Sequence, residues 1–166
     1  MIGKPVPHRF LTPLRVSAMT RETIKTALKI AVSGATVFYG FVPAFADLNE
    51  THLFNPLWSA HARFHGAWFL AFGAGVALIS LYLLWWRDEV FVPIFLGLGF
   101  AVGFWIATVF SPAYGGALVD PNGHTHVIMG VEANVFLFSI LSLFLIAALG
   151  LAAWIERAKS NHPSAD

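Results

Sequence analysis

Cysteine is absent from the 166 residues, which excludes disulfide staples, thiolate metal sites and a cysteine nucleophile. Charge is scarce as well. Asp, Glu, Lys and Arg make up 11% of the chain, against about 25% in an ordinary soluble domain, and a water-soluble globule cannot cover its surface with so few. The net charge is only +1, so no basic field draws the chain to nucleic acid and no such partner is expected. Walker loops, GxGxxG turns, GxSxG elbows and HExxH helices are all missing, which removes the common signatures of nucleotide binding, serine hydrolysis and zinc proteolysis. What is abundant is apolar: 57% of residues are hydrophobic, with 16 Phe and 6 Trp. That is too apolar for disorder and too poorly charged for water. The sequence reads as an integral membrane protein.

A hydrocarbon core about 30 Å thick takes roughly 20 apolar residues per helix. Four stretches reach that length, at residues 27–46, 62–86, 90–110 and 127–155. The expected fold is therefore all-α: an antiparallel, up-down, four-helix membrane bundle. A cytoplasmic or interfacial segment (1–26) precedes it, and a cytoplasmic tail (156–166) follows. Only Arg87, Asp88 and Glu89 separate the second and third spans, so these are antiparallel neighbours. The basic start followed by Ala44-Phe45-Ala46 imitates a signal-cleavage site. A basic region of about 26 residues is too long for a signal peptide, and the first span is read as a retained helix.

Lysine and arginine set the orientation. Nine of the ten lie before or at the start of span one, in the short turn or after span four, and only Arg63 lies on the other side. The positive-inside rule puts both termini in the cytoplasm, with the 47–61 and 111–126 loops on the exoplasmic side. The expected location is a bacterial inner membrane. Gly66, Gly73 and Gly75 in span two and Gly97, Gly99 and Gly103 in span three are expected to let helices approach closely.

The polar residues are distributed unevenly. Five of the seven histidines, His52, His61, His65, His124 and His126, fall on the exoplasmic half. Asp47, Asn49, Glu50, Asn55, Arg63, Asp120, Asn122, Glu132 and Asn134 accompany them, so two loops supply one polar mouth. His65 and Glu132 each lie about one to two turns inside their spans, on the order of 5–10 Å deep at 1.5 Å per residue. Ionisable groups at such depth persist when they are paired or line a wet cavity. The expected pair is His65 with Glu132, acting as general acid and base, with His61, Asp47 and Arg63 in support. An imidazole titrates near neutrality and can pass a proton either way. His52, Asn55, Trp58, Trp68, His124, His126 and Asn134 are candidates to line or cover the site, while Asn55, Asp120 and Asn122 also suit helix-capping duty.

His61 and His65 stand i, i+4 and share a helix face. With a carboxylate from Glu132 or Asp47 they would make a two-histidine, one-carboxylate set for a divalent metal. A polar lid without chemistry, a metal-free proton-transfer site and a metal site all remain open on these residues. A haem needs facing histidines at one depth, and only His65 with His126 could be forced into that.

Residues 47–65, DLNETHLFNPLWSAHARFH, resemble an uncharacterised family of small four-helix membrane proteins of bacteria and fungi. The likeness is carried by Asn-x-Thr-His, Asn-Pro-x-Trp and His-Ala-Arg-Phe-His. Asp120-Pro121 and Glu132 belong to the same pattern. The resemblance implies the architecture and the importance of this segment, and brings no activity. By architecture alone, without a shared motif, the chain is also similar to the emopamil-binding and sigma-2-type bundles, which hold acidic and histidine residues in a lipophilic cavity. The expected function is a membrane-embedded enzyme acting on a lipophilic small molecule, by isomerase- or cyclase-like acid–base or by metal-assisted chemistry. The alternative is a non-enzymatic binder or accessory subunit, with membrane lipid, a homo-oligomer or a larger membrane complex as partner.

Overall fold

Inside a bilayer every backbone N–H and C=O must find its partner within the chain, and the long apolar runs meet that demand as four helices. The computed structural model describes residues 18–119 and 126–160. The elements are α1 (Ala18–Ala46), α2 (Ala60–Trp86), α3 (Phe91–Tyr114), a short antiparallel hairpin of β1 (Val127–Ile128) and β2 (Val131–Glu132), and α4 (Ala133–Ser160). All four helices are long and apolar enough to cross a membrane, with mean hydropathy from 1.4 to 2.7. The chain is a multi-pass, all-α membrane bundle.

Two helix starts depart most from expectation, and α3 and α4 run on to Tyr114 and Ser160, past the expected 110 and 155. α1 begins at Ala18 rather than at residue 27, because a helix in contact with its neighbours continues past the end of its apolar run. α4 begins at Ala133 rather than at residue 127. Residues 127–132 instead fold back, pairing Val127 with Glu132 and Ile128 with Val131. The two turn residues, Met129 (φ 51°) and Gly130 (φ 82°), both adopt the left-handed conformation, which suits the right-handed twist of a tight hairpin.

One end of the bundle is tied by charge. Lys25 and Lys29 of α1 both donate to Asp88 in the α2–α3 turn. These bonds, Lys25's above all, hold the Asp88 carboxyl below the usual carboxylate range. The Lys29 ammonium lies 4.7 Å from the centre of the Trp85 ring, and Trp85 Nε1 donates to Ser33 Oγ at 3.0 Å. Arg21 donates to the Ala158 carbonyl near the end of α4, so the start of α1 and the end of α4 lie beside the same turn.

Packing fixes the order around the bundle. α1 touches α2 and α4, α3 touches α2 and α4, and α1 also meets α3 across the short diagonal, whereas no Cα of α2 comes within 8 Å of one in α4. α1 and α2 are drawn together at Gly40, Gly73 and Ala77. Gly97 of α3 faces Leu145 and Tyr39. Gly75, Gly99 and Gly103, expected at helix contacts, instead have open space where a side chain would stand.

The core occupies the charged end and the middle. One cluster gathers Leu28, Val32, Leu84, Val90, Ile94, Ala148, Ala152 and Ile155, and a second gathers Ala35, Tyr39, Ala101, Leu141 and Leu145. Tyr39 and Ser80 share a buried hydroxyl hydrogen bond of 3.2 Å. At the opposite end packing is sparse. Along α2 the first buried residue is Gly73, twelve residues in from His61, and none of α3 beyond Ala101 is buried.

Candidate functional site

The segment joining α1 to α2 is built by its asparagines. Asn49 Oδ1 accepts from the Thr51 backbone N–H, the Thr51 hydroxyl and the His52 N–H, at 2.8, 2.7 and 3.1 Å. Its Nδ2 donates to the Ala46 carbonyl. Asn55 is fully buried, accepting from Leu57 N–H at 2.9 Å and donating to the Thr51 carbonyl. These are Asx-type bonds that substitute for a backbone ladder, so Asn55 is a scaffold residue. Ser59 Oγ caps α2 by accepting from Ala62 N–H at 3.1 Å. The segment then lies against α2, where Leu53 and Trp58 cover Gly66.

The covered face leaves the adjacent face of α2 bare. That face carries His61, His65, Trp68, Phe69 and Phe72, the i, i+4, i+7 succession of a single helical stripe. The two imidazoles meet there, Nε2 to Nε2 at 3.0 Å, with ring centres 4.5 Å apart and planes at 87°. Trp68 lies 5.9 Å from the His65 ring, and Phe64 lies 5.8 Å from it and 6.5 Å from Trp68. Phe69 stacks on Phe100 of α3 at 5.4 Å. His65, Trp68, Phe69 and Phe72 line an open groove of about 400 Å³. Trp68 and Phe72 are 61% and 60% exposed, which in a bilayer means exposed to lipid.

The other expected site residues lie elsewhere. Glu132 does not meet His65. Its carboxylate accepts from Val135 N–H at 2.9 Å and from Asn134 Nδ2 at 3.0 Å, closing the first turn of α4. Two causes keep the pair apart: α2 and α4 occupy the long diagonal of the bundle, with no two of their Cα atoms within 8 Å, and the hairpin leaves Glu132 ahead of its helix rather than inside it. No three histidine or carboxylate groups gather into a metal-holding set among the described residues, so the His61–His65–Glu132 triad is not assembled. Asp47 approaches His52 at 3.8 Å. Burial pushes the Asp47 carboxyl above its usual range, and His52 partly offsets this. His52 Nδ1 also bonds the Thr51 hydroxyl. Arg63 is exposed. The His126 side chain is exposed, and its carbonyl accepts from Ala133 N–H beside the hairpin. His124 lies outside the described residues, as do Asp120 and Asn122.

Phe69, Phe72 and Phe64 are the residues that the reading from sequence passed over. Their signal was present. Counting by three and four from His61 reaches His65, Trp68, Phe69 and Phe72, a stripe that marks one helix face.

Comparison with known proteins adds the family. A family of unknown function (DUF6640) matches residues 30–162, which is most of the chain and all four helices in whole or in large part; the chain belongs to that family. No curated protein and no solved structure matches it.

Proposed function

We propose that this family member is a membrane-embedded protein that takes a lipophilic small molecule into the groove on α2 and acts on its polar end by imidazole acid–base chemistry. The observation that carries the reading is the joining, on one helix face, of an imidazole pair in hydrogen-bond contact with an apolar groove lined by Trp68, Phe69 and Phe72. The rings would hold the hydrophobic body by area and stacking. The His61–His65 pair can take a proton at one nitrogen and release one at the other, which is what a proton shift within a substrate requires. Glu132 is not part of this machinery. His61, His65, Trp68 and Phe72 carry it; Arg63, two residues from each histidine, falls on the other side of α2 and is not part of it.

Among the described residues Arg21, Lys25, Lys29, Arg87, Arg157 and Lys159 stand at the tied end and only Arg63 at the other, which supports an orientation with both termini in the cytoplasm and the groove near the exoplasmic surface of a bacterial inner membrane. The test is purification in mild detergent followed by mass spectrometry of the bound lipophiles. A single enriched species, lost in Trp68→Ala and Phe72→Ala, is the expected result. An identical lipid profile in wild type and both variants overturns the reading.

The bare Gly99 and Gly103 face of α3 supports the alternative of an accessory subunit, since small residues admit close helix approach. A stoichiometric membrane partner, released by Gly99→Leu, would favour it.

A further inference from the structure

The contact between the two imidazoles carries more than a proton site. We propose that His61 and His65 form a two-nitrogen chelate for a divalent transition-metal ion at the rim of the α2 groove, with the remaining coordination positions open to water and to the polar end of the groove's ligand. This rests on the reading above that the pair stands at the working end of the groove; the acid–base chemistry belongs to the metal-free pair, since the chelate occupies both Nε2 lone pairs.

The geometry has three parts. The first is separation. With the Nε2 atoms 3.0 Å apart, a metal about 2.0–2.1 Å from each subtends roughly 90–100°, the cis angle of octahedral or tetragonal coordination. The second is direction. The ring centres are 4.5 Å apart and the nitrogens 3.0 Å, so the centres add only 1.5 Å. A collinear N–H···N bond would add the full ring radius twice. The rings are therefore bent off the nitrogen–nitrogen line, as two donors sharing one ion must be. The third is rigidity. Both donors stand on consecutive turns of a capped helix, so the chelate needs no loop to close.

The donor set selects the ion. Two imidazoles without a carboxylate favour copper, nickel or zinc over calcium and magnesium, which require oxygen. The sequence offers no cysteine to compete. Against binding stands the position of His61 in the first turn of α2, where the helix dipole presents partial positive charge. Two ligands and an opposing dipole together predict an exchangeable ion rather than a locked structural one.

The experiment is titration of the full chain in detergent micelles with Cu(II), read by electron paramagnetic resonance, and with Zn(II), read by competition against a chromogenic chelator. Other histidines and the amino terminus bind copper too, so the quantity that matters is the difference from the His61→Ala/His65→Ala double variant. The expected result is one additional equivalent of each metal, with a copper spectrum split by two imidazole nitrogens. Each single variant should weaken that site about tenfold or more, a loss of about 1.4 kcal/mol or more, and should abolish the two-nitrogen pattern. Should His65→Ala fail to fold, His65→Asn keeps a polar side chain of similar size and serves instead. Equal metal uptake by wild type and double variant, or a two-nitrogen pattern that survives in either single variant, overturns the chelate. Lipophile retention is measured on the same samples. A missing metal site with lipophile still lost in Trp68→Ala sinks the chelate alone, whereas metal bound without any lipophile sinks the groove reading and leaves the chelate standing.

Discussion

Replacing Gly40 with alanine tests the packing that fixes the whole arrangement. A Cβ on Gly40 would fall on the Ala77 methyl group and stand 3.1 Å from the Gly73 carbonyl oxygen. Neither obstacle is the end of a flexible side chain: Ala77 is 0% exposed and the carbonyl belongs to helical backbone. The two helices must therefore move apart. Overpacking of this kind costs about 1–3 kcal/mol, and because the adjoining contacts are backbone the upper half of that range applies. Alanine also gains about 1 kcal/mol of helix propensity over glycine, which leaves a net loss of about 1–2 kcal/mol. Unfolding in mixed detergent and SDS micelles, followed by circular dichroism, reads it. Gly99→Ala and Gly103→Ala are the controls: nothing lies within 4 Å of the added atom at either position, so each should be neutral or gain up to about 1 kcal/mol, the propensity term alone. The double variant Gly40→Ala/Ala77→Gly vacates the collision and should recover at least half the loss, a coupling within the range expected of touching residues. If Gly40→Ala is as stable as Gly99→Ala, or if Ala77→Gly restores nothing, α1 and α2 are not packed through this contact and the diagonal placement of α2 and α4 loses its cause.

Other expectations follow from single groups. Asp88 has its carboxyl pulled down by the Lys25 and Lys29 hydrogen bonds, so its contribution to stability is present at neutral pH and lost as pH falls through the lowered value. Its side chain is 60% exposed, so Asp88→Asn should cost no more than about 1 kcal/mol and the cost should shrink in high salt, as thermal unfolding at two ionic strengths will show. Asp47 behaves in the opposite sense. Its carboxyl is raised by burial, so its contribution is fullest at low pH and is lost as pH rises through the raised value. Asp47→Asn should therefore leave the protein at least as stable at neutral pH, and a marked loss there would refute the burial argument. Glu132→Ala removes the acceptor for Val135 N–H and should cost about 1 kcal/mol while leaving lipophile retention unchanged; loss of retention would return Glu132 to the site. Gly130→Val forces a β-branched residue to φ 82° and should destabilise the hairpin by about 1–3 kcal/mol, seen as faster amide exchange at Ala133.

The sequence by itself determined the solvent and the element count. Few charges and four runs of membrane-spanning length leave a bundle as the solution, because a backbone in hydrocarbon must bond to itself. It also determined which end is polar, since depth along a helix is a matter of counting residues. The turn at Met129-Gly130 was harder to see, because a short apolar run such as Val127–Val131 reads equally as helix or strand. Rotation about each helix axis and the order of helices around the bundle belong to the tertiary structure. His65 and Glu132 are at comparable depth in the sequence, yet one stands on α2 and the other in the hairpin ahead of α4, across the long diagonal of the bundle. Linear spacing carries no information about which diagonal is short; close approach at Gly40, Gly73 and Ala77 decides that. For the same reason the i, i+4 relation of His61 and His65 survived folding intact, being a property of one helix, while every pairing that required two helices was left for packing to grant or refuse.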